Sequence, residues 1–203
     1  MLSIPAADAA AVEAAARQME RLGAKLDEIA LPDVALSVDA AAEIAFAEAR
    51  HYHESAGYFP SRAAEYGEDV RRLLERGGEI RASAYLAHMD RMREARLRWN
   101  QTIEGFDALL APATPVAAPE IGQKLVDIGG REETVRAALL RLCRPANFSG
   151  APALVLPCGY TRAGLPIGLQ LMGPLWAEER LLRIGYAYEQ ATDWHSRHPS
   201  GPG

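Results

Sequence analysis

The chain has 203 residues, of which 49% are hydrophobic, and a net charge of -5 at pH 7. This length and composition predict one domain over residues 1–203 with a sizeable core. The acidic balance argues against nucleic acid as a direct partner. No apolar run approaches the roughly 20 residues of a membrane-spanning helix, and the N-terminus lacks the basic and apolar regions of an export signal. We therefore expect a soluble, cytoplasmic protein that ends in a flexible tail at 196–203.

The first half of the chain is predicted to be mostly helical. Residues 8–22 are rich in Ala, with apolar residues at helical spacing, and Gly23 is placed to end a helix there. The segment AKLDEIALP alternates apolar and polar residues, which predicts a strand ended by Pro32. Three further helices are expected, from Ser37 to Gly57, over GEDVRRLLER up to Gly77 and Gly78, and over 83–106.

The second half of the chain predicts three strands and two helices. The strands are the apolar runs DALLAP, PALVLP and LPIGLQLMG, and a loop rich in Pro and Gly spans 112–130. Helices are expected over 131–143, ending near Pro145, and over 177–194. Because mostly apolar strands need helices on both faces, the pattern predicts an α/β fold with a buried sheet. The few, widely separated strands indicate that strands of this sheet are missing.

The sequence contains no complete catalytic or metal-binding apparatus. Cys143 and Cys158 are too few for a disulfide framework and are expected to be reduced core thiols. His51 and His53 are two residues apart on a predicted helix, so they face different directions and cannot chelate one ion. Ser149 lies outside any GxSxG elbow, and its pattern is more typical of a turn serine than of a nucleophile. No metal is therefore expected.

Several motifs occur in an order that resembles the C-terminal half of the amidase signature family. The resemblance covers almost the whole chain, and it is specific as a set although each motif alone is weak. Its parts are VRRLLERG (70–77), SAYLAHMDRMR (83–93), DALLAPATP (107–115), NFSGAPA (147–153), PCG (157–159) and GLPIGLQ (164–170).

The resemblance implies an α/β fold with a mixed sheet flanked by helices and the hydrolysis or transfer of carboxamides. Catalysis in the family uses a Ser nucleophile, a bridging Ser and a Lys base, with a Gly- and Ser-rich segment that supplies the Ser pair. Because this chemistry uses side chains only, the resemblance implies no cofactor. This sequence has no such Gly- and Ser-rich segment, and its lysines, Lys25 and Lys124, lie in other contexts. The expectation is therefore that the chain contains no catalytic residue and supplies sheet strands and a wall of the substrate pocket.

Three residues are candidates for substrate binding by this resemblance. Arg72 matches an arginine that holds the substrate carboxylate in the A subunits of tRNA-dependent amidotransferases, although a surface ion pair is an alternative role. Thr114 and Asn147 are expected first as loop anchors and second as pocket residues, while Gln170 is expected to be structural. Those A subunits carry an acidic residue where ALLRLCRPAN has none, which favours a general amidase ancestry.

Different functions remain open at this stage. A separate N-terminal amidase half, or self-association, could complete the fold and its carboxamide site. The chain could instead be a stand-alone binding or assembly module, or a truncated remnant of an enzyme. No membrane partner is expected.

Overall fold

The computed structural model describes the backbone of residues 6–30 and 34–198, with side chains from residue 9 and, after the gap, from residue 39. It divides into two compact units, Met1–Leu31 with Asn100–Gly203, and Pro32–Trp99. The single domain expected over 1–203 stays a prediction. Most of the expected tail lies outside the described residues, and its first residue closes a short 3-10 turn at Trp194–Ser196.

Seven α-helices and five strands occur in the described part of the chain. The helices are α1 (Ala6–Arg21), α2 (Val34–Ser55), α3 (Glu68–Glu79), α4 (Ala82–Ile103), α5 (Val135–Arg141), α6 (Arg144–Ser149) and α7 (Glu178–Gln190). The strands are β1 (Leu109–Pro112), β2 (Leu125–Asp127), β3 (Glu132–Thr134), β4 (Ala153–Tyr160) and β5 (Pro166–Met172). Among the described residues, no helix combines the length and hydropathy that crossing a bilayer requires.

The central sheet has three strands in the order β1-β5-β4, and both pairs are antiparallel. The predicted β4–β5 hairpin is confirmed, and its turn is fixed by a 2.8 Å hydrogen bond from the Thr161 N–H to the Leu165 carbonyl. Gly164 takes a φ of 79° in this turn, a conformation that favours glycine. The predicted α/β architecture with helices packed against the sheet is confirmed. The described strand pairs are all antiparallel and not mixed as expected, and for β4 and β5 the tight turn between them requires this direction.

One face of this sheet forms the main core. Leu154 and Leu156 of β4 and Leu169 and Leu171 of β5 point to the same side, where α1 and α7 pack. Two glycines permit the close approach of these helices, since a Cβ at Gly159 would lie 3.0 Å from the Ala11 Cβ, and one at Gly185 would lie 2.5 Å from the Leu154 Cδ2. The hydrophobic effect of this layer holds the sheet and both helices together.

The strand predicted for AKLDEIALP does not occur. Residues 24–30 have no regular secondary structure, and 31–33 lie outside the described residues. The alternation of apolar and polar residues is interrupted at Asp27 and Glu28, so Leu26 and Ile29 would face opposite sides of a strand. This segment therefore defines no single face that could be buried.

Two predicted helix boundaries are wrong. Ser37 is not an N-cap, because α2 already begins at Val34. Gly77 and Gly78 do not end α3, which continues to Glu79. Gly77 instead lies where α2 and α3 cross closely, since a Cβ there would be 2.1 Å from the Phe46 carbonyl oxygen.

The expected end of a helix near Pro145 is also only partly right. The helix α5 ends at Arg141, and Pro145 lies in the first turn of a second short helix, α6, where its missing N–H costs nothing. Gly150, with a φ of 77°, ends α6. The β2–β3 hairpin, which begins inside the predicted loop and ends inside the predicted helix, was not expected from the sequence.

The close packing at Gly77 yields a stability prediction. Gly77→Ala should lower the free energy of unfolding by about 1–3 kcal/mol, because the backbone of Phe46 cannot make room for a Cβ. Gly78→Ala is the matched control in the same helix, since the nearest atom is the flexible Arg50 Nη1 at 3.3 Å. That control should be neutral or stabilising by up to about 1 kcal/mol. Urea unfolding of both variants measures the difference, and equal stabilities would contradict this packing.

Candidate functional site

Three segments meet on the sheet face opposite α1 and α7, in the first compact unit. They are the loop after β1, the junction between α5 and α6, and the middle of β5. The Cys143 thiol donates to the Ala113 carbonyl over 3.5 Å, and the Gln170 Nε2 donates to the Leu142 carbonyl over 3.0 Å. The two contacts join the loop that contains Thr114 to the short helix that contains Asn147. We call these three segments the candidate wall.

The centre of the candidate wall is held by a buried glutamine. The Gln170 side chain is 2% exposed, and its amide satisfies a carbonyl at the end of α5 that has no partner within the helix. This agrees with the structural role expected for Gln170. Burial raises the pKa of the neighbouring Cys143 thiol, so this thiol stays protonated and able to donate.

Thr114 has the anchoring role that was expected first. Its Oγ1 donates to the Val116 carbonyl over 2.7 Å, and the side chain is half-buried. This bond fixes the path of the chain just after β1. The hydroxyl hydrogen is therefore used within the loop, while the oxygen lone pairs can still accept a hydrogen bond.

Asn147 does not hold the loop backbone as expected. Its side chain is exposed on α6 and makes no hydrogen bond to any residue that the structure describes. Ser149 carries out that role, because its Oγ donates to the Pro145 carbonyl over 2.8 Å and accepts from the Ala151 N–H over 3.3 Å. Ser149 is only 3% exposed, which agrees with a turn serine rather than a nucleophile.

Arg72 belongs to the second compact unit and is ion-paired to Glu68, one turn earlier on α3. The two side chains are 70% and 66% exposed, so the pair contributes little to stability and leaves the guanidinium accessible. The structure thus brings Thr114 and Asn147 into one unit but not Arg72.

The segment of the candidate wall that contains α5 and α6 has basic side chains and no acidic one. The residues from Val135 to Ser149 include no acidic side chain and three arginines, Arg136, Arg141 and Arg144. Arg141 pairs with Glu133 of β3, and both side chains are largely buried. This ion pair fixes the β2–β3 hairpin against α5.

The histidines that the sequence raised as candidates do not form a metal centre. The His53 Nδ1 lies 2.7 Å from the Tyr66 hydroxyl, whereas His51 lies beside Ser55. Across the described ranges 6–30 and 34–198, no three side chains are grouped so that they could ligate a metal ion. Both histidines lie on α2, and their side chains contact different residues.

Sequence reasoning missed a cleft of about 580 Å³ at the end of α4. Its floor contains Ile103, Phe106 and Pro174, and its rim contains the ion pair of Asp107 and Arg180, at 3.2 Å. No sequence signal could have revealed it, because its lining comes from segments some 70 residues apart in the chain.

Known proteins share both the sequence pattern and the fold of this chain. The family model described as Amidase matches residues 1–182. The A-type subunit of the glutamyl-tRNA(Gln) amidotransferase from Dechloromonas aromatica is 35% identical over 95% of this chain, which spans 43% of that relative. A solved amidase structure covers 91% of this chain with a TM-score of 0.84 at 24% identity, and the chain covers 42% of it.

A second solved structure is more similar in sequence. It is described as a vestigial protein complex that reveals the origins of an s-triazine catabolic enzyme, and it is 29% identical with a TM-score of 0.81. It covers 93% of this chain, and this chain covers 40% of it. The chain belongs to the amidase family and spans less than half of the length of these relatives.

The buried amide in the candidate wall can be tested by substitution. Gln170→Met, which keeps the side-chain length, should lower the free energy of unfolding by about 1–3 kcal/mol, because it leaves the Leu142 carbonyl unpaired. Gln101→Met, at an exposed position of α4, is the control and should change stability by less than about 0.5 kcal/mol. A Gln170→Met protein as stable as this control would contradict the bridging role.

Proposed function

We propose that this chain is the C-terminal part of an amidase-type amide hydrolase. It contributes sheet strands and a wall of the carboxamide pocket, and a second polypeptide carries the Ser-Ser-Lys apparatus. One observation carries this proposal: the family match extends over residues 1–182, yet the chain spans 43% of its relative from Dechloromonas aromatica. The remaining portion of the family's length has to supply whatever chemistry this chain lacks.

The described residues support the proposal that this chain alone is catalytically inactive. A serine nucleophile needs an accessible hydroxyl and a base within hydrogen-bonding reach. Ser149 is buried and donates to a backbone carbonyl. Lys25 and Lys124 are both exposed to solvent, whereas a lysine base in this chemistry has to be held in a desolvated site beside a hydroxyl.

Substrate binding is proposed for Arg72, Thr114 and Asn147. The exposed guanidinium of Arg72 can form a charge-assisted, bidentate contact with a substrate carboxylate. The exposed amide of Asn147 offers two donors and an acceptor. Thr114 anchors the loop after β1 through its bond to the Val116 carbonyl, and its oxygen can still accept a hydrogen bond.

Complementation tests the proposed function directly. The complementing polypeptide is the portion of the Dechloromonas aromatica relative that this chain does not span, co-expressed with the full 203-residue chain. We expect no ammonia release from simple carboxamides by the chain alone and measurable turnover by the co-purified pair. A complementing polypeptide whose catalytic serine is changed to Ala is the control.

Each other outcome of this experiment points to a different function. Turnover by the clean chain alone would contradict the proposal. An inactive, stable monomer that does not bind the complementing polypeptide would favour a stand-alone binding or assembly module. An inactive chain that only self-associates would favour a remnant.

In the active complex of the two polypeptides, substitutions can distinguish substrate binding by Arg72 from its ion pair with Glu68. Arg72→Ala should raise KM for a carboxylate-bearing amide by about 10–100-fold, as expected for losing a charge-assisted contact. Glu68→Gln removes the ion pair but keeps the guanidinium, so KM should change by less than about twofold. Arg93→Ala breaks a similarly exposed ion pair on α4 and is the control. Equal KM values for Arg72→Ala and Arg93→Ala would exclude substrate binding by Arg72.

A further inference from the structure

Cys143 lies at the junction of α5 and α6 and contacts both segments that contain candidate pocket residues of the first unit. Its carbonyl accepts a hydrogen bond from the Asn147 N–H over 3.4 Å, which closes the first turn of α6. Its thiol donates to the Ala113 carbonyl over 3.5 Å, and this carbonyl belongs to the peptide bond that leads into Thr114. Through its backbone and its side chain, Cys143 therefore connects Asn147 with Thr114.

The peptide bond that receives the thiol is fixed against β5 on its other side. The Ala113 N–H donates to the Gly168 carbonyl over 2.9 Å, just beyond the β1–β5 ladder. A Cβ at Gly168 would lie 2.9 Å from the Ala113 Cβ, so the loop lies directly on the strand. Because Ala113 is only 6% exposed, water has little access to replace the thiol as a donor.

The same loop is held again three residues further on. The Val116 side chain packs with Ile128 and with Ala138 of α5. The Thr114 Oγ1 donates to the Val116 carbonyl over 2.7 Å, between these two attachment points. The position of Thr114 therefore depends on contacts that α5 and the α5–α6 junction make with the loop.

The chemistry of the thiol fits a donor and not a nucleophile. Burial raises the pKa of the Cys143 thiol, so the sulfur keeps its hydrogen at neutral pH. A nucleophilic cysteine would instead need its thiolate form. The Leu139 carbonyl, one turn earlier in the chain, lies 3.8 Å from the same sulfur and is the longer of the two contacts.

We propose that Cys143 is a positioning residue of the carboxamide pocket, which sets the spacing between Thr114 and Asn147. This inference rests on the proposed function, in which both of these residues bind substrate. Cys143 acts through the peptide bond before Thr114 and through the N–H of Asn147, without contacting substrate itself. Such spacing matters because a displacement of about 1 Å in a group that holds the substrate can cost about 100-fold in rate.

Two substitutions at Cys143 separate the hydrogen bond from the packing of the sulfur. Cys143→Ala removes the donor, whereas Cys143→Ser keeps a hydroxyl that can donate to the Ala113 carbonyl. In the active complex with the complementing polypeptide, Cys143→Ala should raise KM for a simple carboxamide by about 3–10-fold, as expected for one lost hydrogen bond. It should change kcat by less than about twofold, since the catalytic groups lie on the other polypeptide. Cys143→Ser should return KM to within about twofold of the parent value.

The other cysteine provides the matched control. Cys158 is 2% exposed in the core that α1 and α7 cover, so Cys158→Ala should lower the melting temperature and leave KM unchanged. The amide nitrogen chemical shift of Thr114, measured on the 203-residue chain alone, gives a readout that needs no catalysis. It responds to the hydrogen bond of the preceding carbonyl, so Cys143→Ala should change it and Cys143→Ser should largely restore it.

Each combination of results decides the inference. A raised KM and a changed Thr114 shift in Cys143→Ala, both recovered in Cys143→Ser, support it. An unchanged KM or an unchanged Thr114 shift in Cys143→Ala overturns it while the proposed function stands. An equal rise of KM in Cys143→Ser, or in Cys158→Ala, indicates a general loss of packing and also overturns it. A parent complex without any turnover contradicts the proposed function and this inference together.

Discussion

The structure of the first unit depends on the burial of one face of the β4–β5 hairpin. Leu156, Leu169 and Leu171 are almost completely buried under α1 and α7, although α1 and the hairpin are more than 130 residues apart in the chain. This apolar layer orders segments that local hydrogen bonds alone could not hold together. The glycines at 159 and 185 permit this close approach, because a Cβ at either position would crowd a side chain of the facing element.

The opposite face of the same hairpin positions the candidate wall. Because side chains alternate along a strand, fixing Leu169 and Leu171 toward the helices turns Gln170 toward α5. Gln170 then holds the end of α5, and Ser149 shapes the end of α6 that presents Asn147. The hairpin whose one face forms the core thus also fixes the end of α5 in the candidate wall.

The sequence predicted correctly those helices and strands that depend on local preferences of the chain. Helices with strong apolar periodicity and the Pro/Gly-framed hairpin were found because spacing alone determines them. It failed where tertiary contacts decide, as at Gly77, which ends no helix but allows two to cross. For the site, the motif identified the segments around Thr114 and Asn147. It could not show that Ser149, rather than Asn147, bonds to the turn, because both side chains are capable of it.

The two faces of the hairpin differ in how far the described residues of this chain cover them. Its helix-covered face is closed by described residues of α1, α7 and the hairpin itself. The opposite face is closed only near Gln170 and Met172, whereas Ala153, Val155 and Asn147 stay exposed. Apolar and hydrogen-bonding groups exposed together favour association over further internal packing.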